Sequence, residues 1–167
     1  MKHIIQALVE NKFGVLARIA SLFSARGYNI DSLCVGETED ASVSRMTVVV
    51  RGDDAVLAQI MKQLDKLVET IEVVDLTAEN HVERELVMVK IQARAKERSE
   101  VVEIASIFRA KVVDVNTDAM IVEVTGSVAK VRAFIDLMRP FGIKELVRTG
   151  AIAIGRSTQG DTGAADV

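Results

Sequence analysis

His3-Ile4-Ile5-Gln6-Ala7-Leu8-Val9-Glu10 reads as a strand, Asn11-Lys12-Phe13-Gly14 as a polar turn, and Val15–Arg26 as a helix. Gly27-Tyr28-Asn29-Ile30 then leads into another apolar run. The helix is recognised by Val15, Leu16, Ile19, Leu22 and Phe23, which recur at three- to four-residue spacing. Gly27 suits the residue just past its end, where a left-handed conformation is common. Gly14 stands just before its start, where unpaired N–H groups and the positive end of the helix dipole collect. A glycine there lets a small anion such as a carboxylate approach the backbone. Asn11 and Asn29, at the ends of strands flanking the helix, can offer donors and acceptors to the same ligand. On pattern alone, turn formation also accounts for all three residues.

The same alternation continues along the chain. Ile30–Glu39 and Val43–Arg51 are strands joined through Asp40-Ala41-Ser42, and Met46, Val48 and Val50 alternate in the second. Asp53 is placed to cap a helix whose Val56, Leu57, Ile60, Met61, Leu64 and Leu67 share one stripe. Glu69–Leu76 closes a βαββαβ unit. The second half repeats the order. Glu85–Ala93 is a strand, Ser99–Ala110 a helix capped by Ser99, and Val112–Val115 and Met120–Val124 a strand pair around Asn116-Thr117-Asp118. Ser127 caps a helix to Met138 that Pro140 and Gly142 end, and Ile143–Ile154 supplies one or two last strands. The expected class is α+β, with two ferredoxin-like domains. The boundaries read as 1–76 for the first domain, 77–84 for a linker, 85–156 for the second domain and 157–167 for a disordered tail rich in Gly, Thr and Asp.

Both parities of Ile4-Ile5 and of Thr47–Val50 are largely apolar, so each face of the first sheet needs cover. A homodimer formed through sheet faces or edges is expected to supply it.

The composition excludes several classes. The chain has 167 residues with a net charge of −3, and its charges are mixed throughout without a basic stripe. Aromatic residues make up 4% and there is no Trp, which leaves little to stack on bases. Nucleic acid is therefore not an expected partner. No apolar run approaches the roughly 20 residues of a membrane span, and the N-terminus lacks a signal-peptide pattern, so a cytoplasmic location is expected. Cys34 is the single cysteine, which excludes an internal disulfide, and it reads as a buried strand residue.

Catalytic chemistry is poorly provided for. His3 and His81 are isolated, and Glu37, Glu39, Asp40, Asp53 and Asp54 fall at a hairpin and a helix start, so no metal site is expected. There is no Cys-x-x-Cys, no phosphate-binding glycine loop and no nucleophile elbow. Asp75 and Asp114 interrupt apolar strands and are expected to be half-buried, but catalysis is not expected of either. The chain reads as a binding module with no catalytic residues.

Longer stretches carry a resemblance. Glu10-Asn11-Lys12-Phe13-Gly14-Val15-Leu16-Ala17-Arg18 resembles a Glu-Asn-x-x-Gly-x-Leu-x-Arg signature. Leu22-Phe23-Ser24-Ala25-Arg26-Gly27-Tyr28-Asn29-Ile30-Asp31-Ser32-Leu33 matches a Leu-Phe-x-x-Arg-Gly-Tyr-Asn-Ile-x-Ser-Leu block. Ser44–Thr47, Gln63–Val68, Glu83–Leu86, Val89–Ile91, Ile107–Arg109 and Arg148–Gly150 follow in the same order. These signatures are those of the small regulatory subunits of bacterial acetohydroxyacid synthase (acetolactate synthase). Phe13 departs from the pattern, since many relatives carry Pro there.

The resemblance implies that the first domain is an ACT domain and that the chain dimerises. It also implies a separate catalytic subunit, carrying thiamine diphosphate, FAD and magnesium, which this chain activates and subjects to feedback inhibition by valine or another branched-chain amino acid. Asn11, Gly14 and Asn29 correspond to the family's effector positions, flanked by Val15, Leu16 and Ile30, in a site shared between protomers. The alternative is a different ACT-type amino-acid sensor.

Overall fold

The computed structural model describes residues 1–157. The disordered tail expected from 157 onward therefore lies, from residue 158, outside the described residues. The chain forms two compact units, one of Met1–Val82 together with the segment from Ala153, and one of Glu83–Ile152.

In the first unit β1 (Lys2–Glu10), α1 (Val15–Ala25), β2 (Ile30–Glu37), β3 (Val43–Arg51), α2 (Asp54–Leu64) and β4 (Thr70–Asp75) follow in the expected order. The sheet order is β2-β3-β1-β4, all neighbours antiparallel. One face carries Ile5, Ala7, Val9, Met46, Val48 and Val50, which pack on Val15, Ile19 and Phe23 of α1 and on Leu57, Ile60 and Leu64 of α2. The helical stripe and the period-2 alternation meet in this core.

Asp53 caps α2 as its side chain accepts the Val56 N–H at 2.8 Å. Asp53→Ala is expected to lower the stability of the first unit by about 1 kcal/mol. Urea unfolding checks this, and an unchanged midpoint would mean that solvent replaces the cap.

The opposite face of this sheet is less apolar than expected. Between the Ile4/Val49 pair and the Leu8/Arg45 pair sits Gln6 opposite Thr47, both buried. Gln6 Nε2 donates to the Ala153 carbonyl at 2.8 Å, Ala153 N–H reaches Thr47 Oγ1 at 3.4 Å, and Arg45 donates to Gln6 Oε1 at 2.8 Å. Both backbone groups of Ala153 thus find partners on the sheet, and part of this face is covered within the unit itself. Gln6 on β1 and Arg45 and Thr47 on β3 gave no warning of this, because burial of a satisfied polar cluster depends on what lies over it.

In the second unit β5 (His81–Gln92), α3 (Arg98–Ile107), β6 (Lys111–Val115), β7 (Ala119–Gly126), α4 (Val128–Met138) and β8 (Ile143–Arg148) repeat the plan, and β9 (Ile152–Gly155) follows in the chain, all but its first residue belonging to the first unit. The sheet path is β6-β7-β5-β8, and β9 pairs β5 off it, so that Ile143–Ile154 supplies two strands. The polar stretch before Glu85 is strand from His81 onward. Val87, Val89, Ile91, Met120, Val122 and Val124 form the inner face against Val101, Ala105, Val131, Phe134, Ile135 and Met138. Phe108 and Phe134 meet edge to face at 5.4 Å.

Ser127 caps α4 as expected, accepting from the Lys130 N–H. Ser99 does not cap α3. That helix starts at Arg98 after a turn closed by Glu97 N–H on the Arg94 carbonyl, and the Arg98 guanidinium holds the Ala93, Asn116 and Thr117 carbonyls. Side-chain bonds made by Arg98 to a distant loop fix this boundary, which local capping rules do not see. Among the described residues no helix is long and apolar enough to cross a membrane.

Candidate functional site

Gly14 adopts φ +86°, ψ −11° at the start of α1, the left-handed region that disfavours side chains. A Cβ there would meet nothing within 4 Å, so the backbone lies open on that side. No side chain caps α1, in contrast to Asp53 on α2 and Ser127 on α4. The Val15 N–H reaches only the Lys12 carbonyl at 3.4 Å, and the next two N–H groups have no intrahelical acceptor by the geometry of a helix start. The result is an exposed cluster of donors at the positive end of the dipole.

Asn11 lies beside this opening. Its N–H donates to the Ser42 carbonyl at 2.7 Å, and its Nδ2 donates to Glu37 Oε1 at 3.0 Å and to the Ala41 carbonyl at 2.9 Å. Both Nδ2 partners are pure acceptors, which fixes the amide orientation and leaves Oδ1 as an acceptor. The neighbouring Asp40 carboxylate is held below its usual pKa, first by the Ser42 hydroxyl and then by the Ser42 N–H. Those bonds set the hairpin that Asn11 grips.

The remaining positions divide. Val15 is buried and its side chain belongs to the core, so it faces the opening with its N–H alone. Leu16 is about half-exposed beside it, at 47%. Ile30 is half-buried and packs against the core cluster. Asn29 is exposed and donates to Asp31 Oδ1 at 3.2 Å.

Within one chain these residues do not converge. Ile30 is level with Val50, and Val50 with His3, whereas Glu10 is level with Val43. Strands β1 and β2 therefore run parallel with β3 between them, and Asn29 and Asn11 lie at opposite ends of the sheet. Seven residues of strand separate the two levels, roughly 23 Å. Within one chain this register keeps Asn11 and Asn29 from meeting the same ligand. Linear spacing gave no hint of it, because flanking the same helix does not put two residues at the same end of it.

Other candidates are quieter. Cys34 is half-buried rather than buried, since β2 is an edge strand. Asp75 is half-buried and accepts the Thr77 N–H, and Asp114 is exposed. Among the described residues no group of three His, Cys, Asp or Glu side chains is placed to hold a metal.

The family described as "AHAS small subunit-like ACT domain" matches residues 5–72, and that described as "Small subunit of acetolactate synthase" matches residues 84–157. A probable acetolactate synthase small subunit of Archaeoglobus fulgidus is 57% identical over 159 residues, 95% of this chain and 99% of that one. The acetolactate synthase small subunit of Aquifex aeolicus is 52% identical over 156 residues, 93% of this chain and 81% of that one. The crystal structure of the acetolactate synthase small subunit of Thermotoga maritima superposes with a TM-score of 0.87 at 40% identity, covering 95% of this chain and 99% of that one. With the repeated βαββαβ plan and with matches that run through both units, the chain belongs to the acetolactate synthase small subunit family.

Proposed function

We propose that the chain is a non-catalytic regulatory subunit that binds a separate acetolactate synthase catalytic subunit in the cytoplasm, raises its activity and makes it sensitive to valine or another branched-chain amino acid. In this reading thiamine diphosphate, FAD and magnesium reside on the catalytic subunit. The observation that carries it is Gly14: a left-handed, open glycine before an uncapped helix start, a place where a free amino acid's carboxylate can reach several N–H groups. Such a contact contributes up to about 2 kcal/mol when partly buried. Asn11 Oδ1 is an acceptor suited to the effector's ammonium group.

The far end of the sheet enters through a second copy. β2 is an edge strand, and two copies joined antiparallel along β2 set the start of one against the end of the other. The end of β2 carries Glu37, which Asn11 holds. Antiparallel pairing therefore brings the partner's Asn29 and Ile30 to the Asn11–Gly14 opening, and the effector bridges a homodimer. Leu16 and the partner's Ile30 give this opening an apolar wall, and such a wall distinguishes branched side chains by only about 1–3 kcal/mol per methylene. Valine, leucine and isoleucine are thus separated less well from one another than from polar amino acids. Inhibition follows where the bridged dimer favours a less active arrangement of the complex.

The test is co-purification with the catalytic subunit, followed by activity titrated with valine, leucine and isoleucine. Activation by the chain and inhibition by at least one of the three are expected. Asn29→Ala should weaken the effector by about 1–3 kcal/mol without loss of activation. A chain that neither binds the catalytic subunit nor changes its rate overturns the proposal.

A further inference from the structure

The second unit has an edge of its own. β6 (Lys111–Val115) ends the path β6-β7-β5-β8, and all five of its residues are exposed. Val112, Val113 and Val115 are 36%, 50% and 51% exposed, and Ile107 at the end of α3 is 73% exposed. An apolar edge strand presents unpaired N–H and C=O groups to any chain that can add to it.

Its register makes it self-complementary. Lys111 is level with Glu123 and Asp114 with Ile121, whereas Val112 is level with Val122 and Val115 with Met120. Met120 and Val122 face the helices, so Val112 and Val115 lie on the helix side and Lys111 and Asp114 on the other. The shift between Val112 and Asp114 sets Val112 and Val113 together against Val122, a bulge that keeps both on the helix side. The face pattern is therefore out, in, in, out for Lys111, Val112, Val113 and Asp114. Reversed, it reads the same. Neither Lys111 nor Asp114 makes an ion pair among the described residues.

We propose that β6 is a homotypic docking edge, on which a second copy of this chain adds its own β6 antiparallel, with Lys111 against the partner's Asp114 and Val112 against the partner's Val113. The Lys111–Asp114 pair then occurs twice, once on each side of a two-fold axis, and Glu123 continues the row behind Lys111. The exposed valines and Ile107 are the surface such pairing removes from water. The inference rests on the reading above that this chain associates with a second copy, and it concerns the second unit alone.

The experiment uses the full chain. Sedimentation gives the oligomeric state, and deuterium exchange followed by mass spectrometry reads residues 111–115 over a range of protein concentrations. Pairing should slow exchange there by about tenfold or more at high concentration. Asp114→Lys sets lysine against lysine and should return exchange to the rate of a free edge. The double variant Lys111→Asp/Asp114→Lys should restore the slowing, which a merely misfolded strand would not do. A dimer whose residues 111–115 exchange at the same rate at every concentration overturns this inference alone. A chain that sediments as a monomer overturns it together with the dimer reading.

Discussion

In the reconstituted enzyme Gly14→Asp is expected to abolish valine inhibition and leave activation in place. The introduced carboxylate sits at the uncapped start of α1 and accepts the N–H groups proposed for the effector. It also places a negative charge beside the effector's own carboxylate, where partial exclusion of water strengthens the repulsion. The two effects together should weaken valine by about 100-fold, or about 3 kcal/mol. The fold should survive. A Cβ at Gly14 meets nothing within 4 Å, and the remaining cost is the left-handed backbone at φ +86°, about 1 kcal/mol for Asp, which tolerates that region better than most residues. An inhibition curve matching wild type would place the effector elsewhere. Loss of activation together with folding would leave Gly14 as a turn residue only.

The opening around Gly14 was legible because it rests on local chemistry. A strand, a glycine-ended turn and an amphipathic helix are separately encoded in Ile4–Val9, Phe13-Gly14 and Val15–Phe23, and each is formed where the pattern set it. The caps at Asp53 and Ser127 were legible for the same reason. What escaped were relations between distant segments. The separation of Asn11 from Asn29 follows from two ladders that share β3, and neither ladder is written in the residues between them. Gln6 and Thr47 were read only as residues of largely apolar strands, and it is Ala153 over them that makes them partners. Glu85 was read as the polar first residue of a strand. In the structure it is buried at 3% exposure, because β5 begins four residues earlier and carries it inside.

That burial makes Arg148 a residue whose loss should damage the second unit. Arg148 Nε donates to Glu85 Oε1 at 2.7 Å and its NH2 group to Oε2 at 2.8 Å, a bidentate fork that satisfies both oxygens of a carboxylate with almost no solvent. The bond to Glu85 raises the pKa of Arg148, against the opposing effect of its own partial burial. Arg148→Met keeps much of the side-chain volume and removes the fork, which leaves a buried carboxylate without a partner. Breaking such a pair costs about 3–5 kcal/mol, and the lower end applies here because the Arg148 side chain is 44% exposed. Arg148→Lys should recover part of the loss, since an ammonium cannot bond both oxygens in the plane of the carboxylate. The double variant Glu85→Leu/Arg148→Met should recover most of it, because no charge is then left buried. Hydrogen exchange in β5 and β8 under increasing urea reports the second unit by itself. A loss below about 1 kcal/mol in Arg148→Met would mean that the freed Glu85 reaches water, and that the fork orders the strand pair without stabilising it.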